Sequence, residues 1–362
     1  MRRIVMTRRG AAALVAGLAA VSLITACGSN AKGSSSSAQA LLTNTGADRQ
    51  DNLVAAAKKE GKLDWVTSFA GPVVDSIVSA FQKQYPFIHM TVNRADEGVI
   101  IPRAVQEIGA GKSAGDAFEV TASGALEFKD AGVLQPYLSP NAGTISDEYK
   151  VLDGGKDLLL TDRISYISFG YNTSKISADA VPKTLEDLLN PKLAGKLAIE
   201  TDTTSEEFVG AVLHKMGDAA GEGFLKKLAA QHVAETAVSG SALMGLVASG
   251  QYGGSPSVFH NHQQQNARKG APVAWVPLDP VVANVGQLGI LKDAAHPAAA
   301  MLFVDFMTSD AGQKVLESQL YTPPEVKQPF DAWVPSQGAK DAEAYNDELK
   351  KWSALQKKYF GG

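Results

Sequence analysis

Lys62-Leu63-Asp64-Trp65-Val66-Thr67-Ser68, with Pro72-Val73-Val74 close behind, is the stretch that decides the fold. The first part reads as a strand that ends in two hydroxyls. Pro72 then opens a helix whose apolar side carries Val73, Val74, Ile77, Val78 and Phe81. Strand, polar loop and helix N-terminus in that order form the α/β unit that presents ligands at the carboxyl ends of strands. Just upstream, residues 51–60 read as a helix with Leu53, Val54 and Ala57 on one face, stopped by Gly61.

The pattern repeats downstream. His89-Met90-Thr91-Val92 is a strand, and 101–110 a helix with Pro102 near its first turn. Ala117-Phe118-Glu119-Val120-Thr121 is a strand running into Thr121 and Ser123, with a short helix over 124–131. Such alternation predicts a largely parallel sheet covered on both faces. Residues 164–171 form a long β-rich run, 182–189 a short helix, and Lys196-Leu197-Ala198-Ile199 a strand. Thr203-Thr204-Ser205-Glu206-Glu207 holds two overlapping capping boxes, Thr203/Glu206 and Thr204/Glu207, ahead of a helix over 205–216. Helices follow over 221–230 and from Ser239-Gly240-Ser241 to near Gly250. Val258-Phe259-His260-Asn261-His262 lies beyond a Gly-rich turn. Strands are expected at 273–276 and 285–291, and helices at 297–307 and 311–320. A joint with Pro323, Pro324 and Pro329 precedes an amphipathic C-terminal helix bearing Tyr345, Leu349, Trp352, Leu355 and Tyr359, expected to dock on the body.

The front of the chain is an address. Arg2, Arg3, Arg8 and Arg9 lead into an apolar run over 11–26, which ends in small residues before Cys27, the only cysteine. A basic head, a short apolar core and a small-residue cut site predict a secretory signal peptide over 1–26. The run is shorter than the roughly 20 apolar residues of a spanning helix. Ile24-Thr25-Ala26-Cys27 looks like a bacterial lipobox, so Cys27 is the expected lipidation site. Arg8-Arg9 fits twin-arginine export but lacks a bulky residue after it, which leaves the Sec and Tat routes both open. Residues 27–47, rich in Ser, Gly and Ala, read as a flexible tether. With Cys27 acylated, the mature chain holds no cysteine for disulfides, metal clusters or nucleophilic catalysis. The 34 Lys+Arg against 38 Asp+Glu give no basic surplus, which excludes nucleic acid as a partner class. H-E-x-x-H does not occur, and Gly253-Gly254-Ser255-Pro256-Ser257 lacks the closing glycine of G-x-S-x-G; Gly111-Lys112-Ser113-Ala114-Gly115 has those letters but precedes a strand, where a nucleophile elbow follows one. The expected molecule is not an enzyme, and an exported hydrolase is disfavoured.

Several segments together resemble one family. They are Leu53-Val54-Ala55-Ala56-Ala57-Lys58-Lys59-Glu60-Gly61, Gly115-Asp116-Ala117-Phe118, Gly170-Tyr171-Asn172-Thr173, Pro182-Lys183-Thr184-Leu185-Glu186-Asp187-Leu188, Asn190-Pro191-Lys192-Leu193 and Ala294-Ala295-His296-Pro297-Ala298-Ala299-Ala300, with Phe303, Phe306, Ser309 and Gln313. Their order and spacing resemble the extracellular solute-binding proteins of ABC importers, in the branch of ferric-ion, phosphonate, sugar-phosphate and thiamine binders. The resemblance implies a two-lobed α/β type II periplasmic-binding-protein fold with two crossover strands, near 164–169 and 273–278, and a ligand cleft between the lobes. One lobe combines 48–160 with 279–322, the other holds 161–278, and 323–362 is the joint and docked helix. It further implies a monomer without cofactor, exported and lipid-anchored at the outer face of the cytoplasmic membrane, that passes a small solute to a permease. A ligand sensor for a membrane signalling partner is the same reading without transport.

Candidate ligand groups are those at strand ends and helix starts, where free N–H groups and small hydroxyls receive anions. These are Thr67, Ser68, Thr121, Ser123, Thr203, Thr204, Ser205 and Ser239; Ser241 shares the last helix start. Each is equally readable as a plain helix cap. Tyr166 on a crossover reads as a stacking group or as hinge packing. His260 and Asn261 fall where ferric relatives carry paired tyrosines, and His260 with His262 forms a minor metal alternative. Imidazoles suit softer divalent ions than Fe(III), and the family's other iron ligands have no match around 69–70 or 121–123. Arg94 and Arg163 are the candidate cations, the second also readable as a hinge residue. The expected solute is therefore small, polar and anionic, bearing phosphate, phosphonate or carboxylate, with ferric iron as the alternative.

Overall fold

A computed structural model describes residues 40–361. Cys27, the leader and most of the tether lie outside the described residues. The chain begins as α1 (Arg49–Glu60), β1 (Lys62–Thr67), α2 (Gly71–Gln84), β2 (His89–Arg94), α3 (Glu97–Gly109), β3 (Ala117–Thr121) and α4 (Ala122–Asp130). β1 pairs in parallel with both β2 and β3, as the alternation predicts. Gly61 ends α1 in the left-handed region at φ 66°, its N–H on the Ala57 carbonyl. The acidic pair Asp96-Glu97 starts α3 earlier than the reading had it, so Pro102 stands inside the helix.

β4 (Leu134–Gln135) and β5 (Lys150–Asp153) lead to β6 (Lys156–Asn172), buried along most of its length. Then come β7 (Ala198–Glu200), α5 (Thr203–Met216), α6 (Asp218–Ala229), β8 (Ala234–Thr236), α7 (Gly240–Ser249), β9 (Gly254–Phe259), α8 (His260–Arg268) and β10 (Val273–Val276). The chain returns through β11 (Val281–Leu291), α9 (Pro297–Met307), α10 (Asp310–Ser318), β12 (Ala332–Trp333) and α11 (Ala342–Tyr359). One sheet runs β10-β6-β11-β3-β1-β2, and β7 and β8 form a small parallel pair of their own. The large sheet is mixed, not largely parallel as the alternation suggested, because the long strands break the β/α alternation: β6 runs antiparallel to β5, β9, β10 and β11, and β11 to β3 and β4.

β6 begins against β5, passes β11 in its middle and ends against β9 and β10. Its expected role as a crossover agrees with this course. The second crossing differs from the sequence reading. Residues 273–276 are β10, paired only with Phe169–Asn172 at the far end of β6. The strand that spans the molecule is β11, which meets β12 at Val281 and β3 and β4 at its other end. Asn284 interrupts the apolar run there, so periodicity alone started the strand at Val285 instead of Val281.

Two large apolar cores draw on different parts of the chain. Trp65, Phe81 and Phe303 centre the first, beneath β1 and α9. Phe169, Leu188, Val209, Leu225 and Trp352 centre the second. Two details correct the sequence reading. Leu41 and Leu42, assigned to the tether, are buried in the first core, and the Leu42 carbonyl accepts Leu138 N–H at 2.8 Å. Two adjacent leucines have enough apolar area to dock where their Ser/Gly neighbours do not. α11 touches both halves of the molecule. Its Trp352 covers Gly210 of α5, while the N–H of Ala342 donates to Asp130 of α4 at 2.6 Å. Among the described residues no helix is long and apolar enough to cross a membrane.

Candidate functional site

The strand ends of the first half are tied together by one carboxylate. Glu97, the first residue of α3, accepts Ser68 Oγ at 2.9 Å, Thr121 N at 2.6 Å and Thr121 Oγ1 at 2.6 Å. Thr121 Oγ1 also meets Ser123 Oγ at 2.9 Å. Three of the predicted ligand groups, Ser68, Thr121 and Ser123, are thus brought to one place. The anion they receive in this structure is the protein's own. The geometry suits Glu97: β2 ends beside β1, so the start of α3 hangs over the carboxyl ends of β1 and β3.

Thr67, the fourth predicted group here, faces the other way. It is fully buried and donates to Glu119 Oε2 at 2.9 Å. Glu119 pairs with Arg163 at 3.0 Å, and the guanidinium lies over the rings of Phe69 and Tyr321 at 4.7 and 5.0 Å. Burial raises the Glu119 carboxyl and the Arg163 charge opposes that rise. Arg163 is therefore a buried tie between β6 and β3, in line with its hinge reading. Arg94 is exposed, and its Nε donates to the Phe69 carbonyl at 2.5 Å. Tyr166 is 3% exposed and packs edge-on against Phe330, which is the hinge-packing arrangement.

The second half contributes α5. Asp202, not a threonine, caps the helix by accepting Thr204 N at 3.0 Å, so neither capping box forms. A carboxylate one residue ahead outcompetes a hydroxyl for the same free N–H groups. Thr203 is exposed in the first turn. Ser205 is fully buried, accepting Glu200 N at 3.2 Å and donating to Ser257 at 2.9 Å, which in turn donates to Glu200 Oε2 at 2.9 Å. Burial, with the charge of Asp202 adding to it, pushes the Glu200 carboxyl up to about 7. Ser239 caps α7 as expected and stays exposed. The next residue is glycine for a steric reason: a Cβ on Gly240 would stand 3.1 Å from Glu200 Oε1.

His260-Asn261-His262 is the first turn of α8. His260 leans on Trp275 with ring centroids 4.7 Å apart and meets Gln264 at 3.3 Å. His262 is driven down to about 4 by burial, and its Nδ1 and Asn261 Oδ1 are buried without hydrogen-bond partners. The two histidines belong to no cluster of three metal-ligand groups among the described residues. The cluster that exists joins Asp64, Asp116 and His296. There Asp116 is already engaged by Asp64 N, His296 N and His296 Nδ1 at 2.7–2.9 Å. It fastens the start of β3 to the start of α9, away from the Glu97 network.

Glu207, one turn into α5, is the residue that faces the first half. It is 6% exposed, and Tyr345 of α11 donates to its Oε1 at a long 3.4 Å. Burial pushes its carboxyl up to about 8, and the charges of Asp202, Glu206 and Glu97 push the same way. A small cavity of about 10 Å³ is lined by Thr121, Ser123, Glu207, Asn284, Ser336 and Tyr345. It lies where both halves, crossover β11 and the C-terminal arm meet. An adjoining cavity of about 100 Å³ shares Ala122, Val285, Val334 and Ser336 with it. Sequence reasoning missed Glu97, Glu200, Glu207 and Asn284. The one available signal for Glu97 was its place directly after a strand, at a helix start that also carries a free acid.

Residues 113–346 match the family model described as bacterial extracellular solute-binding protein. An uncharacterized curated relative from Haemophilus influenzae is 26% identical over 198 residues, 52% of this chain; the chain spans 57% of that relative's length. Solved structures share the fold at low identity. The periplasmic binding protein AfuA from Actinobacillus pleuropneumoniae, with fructose-6-phosphate bound, is 21% identical with a TM-score of 0.63, covering 83% of this chain and 99% of that one. Iron-bound HitA from Pseudomonas aeruginosa gives 20% and 0.63 over 82% and 99%. The Trichodesmium protein IdiA (FutA), in complex with iron and citrate, gives 16% and 0.65 over 83% and 99%. The architecture is the two-lobed type II periplasmic-binding-protein fold.

Proposed function

The chain belongs to the bacterial extracellular solute-binding proteins, and from that premise we propose that it is the substrate-binding component of an ABC importer, held at the outer face of the cytoplasmic membrane by lipid on Cys27. It captures a small polar solute between its lobes and delivers it to a membrane permease, as a monomer and without chemistry. The lobes are taken as 48–160 with 279–322, and 161–278, with closure a hinge motion about β6 and β11.

The observation that carries this reading is the polar cavity between Thr121 and Ser123 on one lobe and Glu207 on the other, at crossover residue Asn284. A site built from both lobes at the crossover is filled by a ligand that draws the lobes together. The ligands bound in the structural neighbours, a sugar phosphate, iron, and iron with citrate, support anions and iron as candidates. On the second lobe Thr203 and Ser239 present exposed hydroxyls at helix starts. On the first lobe the corresponding donors are taken by Glu97.

Titration calorimetry against organophosphates, phosphonates, carboxylates, amines and Fe(III) tests the binding role, and a panel that fails throughout counts against it. Cys27→Ser tests the anchor: the protein should leave the membrane fraction while its solute affinity stays unchanged. Retention on the membrane would remove the lipid from the account.

A further inference from the structure

We propose that the solute of this cleft carries a protonated amine, held between the Glu97 network of the first lobe and Glu207 of the second. The proposal deepens the solute-binding reading and rests on it.

The first ground is what the cavity offers. Its polar wall offers oxygens: the Glu207 carboxyl and the hydroxyls of Thr121, Ser123, Ser336 and Tyr345, with the Asn284 side chain beside them. Glu207 is 94% buried by its 6% exposure, yet the Tyr345 hydroxyl reaches its Oε1 only at a long 3.4 Å. Its Oε2 accepts no hydrogen bond among the described residues. An alkylammonium has three donors and no acceptor, so it fits a nest of oxygens.

The second ground is charge. Glu97, Asp202, Glu206 and Glu207 converge on this side of the cleft from α3 and α5, and Tyr345 faces them from α11. Arg163, the buried cation nearby, is already paired with Glu119. Acidic side chains gathered in a partly dry site favour the arrival of a cation. The third ground is size. About 10 Å³ takes one group no larger than a water molecule. An ammonium head has that size. A phosphate on the first lobe would have to expel Glu97 from three hydrogen bonds.

The test uses the purified full-length chain and two sets of probes. Putrescine, agmatine and ethanolamine form one set; inorganic phosphate, fructose 6-phosphate, citrate and ferric citrate form the other. At least one amine should bind, and Glu207→Gln should weaken it by about tenfold or more. Calorimetry at pH 7 in buffers of different ionisation enthalpy should show close to one proton released per amine bound, and none in Glu207→Gln. The amide replaces a buried neutral acid of the same shape, and an unchanged melting temperature at pH 6 verifies the fold. Anion binding without amine binding would overturn the proposal and leave the solute-binding reading intact. So would an amine whose affinity and proton release are the same in both proteins. If neither set binds, both fall.

Discussion

Glu207 holds its proton because burial penalises the carboxylate and three neighbouring acids add to the penalty. That has a consequence for stability. A carboxyl whose folded pKa is about 8, against an ordinary 4.5, binds a proton in the folded chain that the unfolded chain has lost. Its contribution is complete below pH 4.5 and disappears as pH rises through 8. Between pH 7 and 9 the unliganded protein should lose stability, with Glu207 supplying on the order of 1 kcal/mol of the loss. His262, driven down to about 4, is neutral in the folded chain throughout this window and only about a quarter protonated in the unfolded chain at pH 7, so it offsets the loss by about 0.2 kcal/mol. Denaturant midpoints at the two pH values should fall less in Glu207→Gln than in the wild type. Glu119 and Glu200 shift in the same direction, so the variant keeps part of the slope. An identical fall in both proteins would mean that Glu207 is ionised in the folded state. None of this was legible in the sequence, where Thr204/Glu207 read as a capping box and Glu97 had no assigned role. Both assignments depend on partners far off along the chain.

α11 is the element whose role changed most. Its apolar stripe was plain from Tyr345, Trp352 and Leu355, and so was its docking. Its seat was not. Trp352 lies on Gly210, where an added Cβ would stand 2.8 Å from the indole, and Gln356 donates to the Glu200 carbonyl at 2.8 Å. Gly210→Ala should therefore destabilise the protein. Helix propensity favours alanine by about 1 kcal/mol, but overpacking against a buried indole costs roughly 1–3 kcal/mol. Lys351→Ala, which breaks an exposed pair with Asp218, should change stability by under about 1 kcal/mol. Thermal unfolding of the two variants compares them directly. A stabilised Gly210→Ala would show that the helix can shift without loss. The same element carries Tyr345 to Glu207, so the C-terminal arm forms part of the cavity wall as well as a prop for the second lobe.

Across the whole molecule, both crossover strands converge on the buried group around Arg163. The guanidinium sits on β6, pairs with Glu119 of β3, and packs against Gly286 of β11, where an added Cβ would stand 2.6 Å from the arginine Cγ. Arg163→Ala leaves Glu119 and Asp162 buried without their cation. The global unfolding free energy should fall by about 3–5 kcal/mol. A loss below 1 kcal/mol would show that the two acids are protonated and indifferent to the arginine.

The sequence by itself determined the alternating elements, the parallel pairing of β1 with β2 and β3, and the convergence of Ser68, Thr121 and Ser123 at strand ends. Strand and helix periods, caps and turn glycines act over a few residues, so they are written locally. It also carried the family, through segments whose order survives at low identity. Tertiary structure alone decided what those hydroxyls face. Glu97 reaches them only because β2 ends beside β1, and Glu207 meets them only because β6 and β11 bring the second lobe opposite. It likewise chose β11 over residues 273–278 as the second crossing. A polar side chain's partner is set by which groups burial leaves without water, and no local pattern records that.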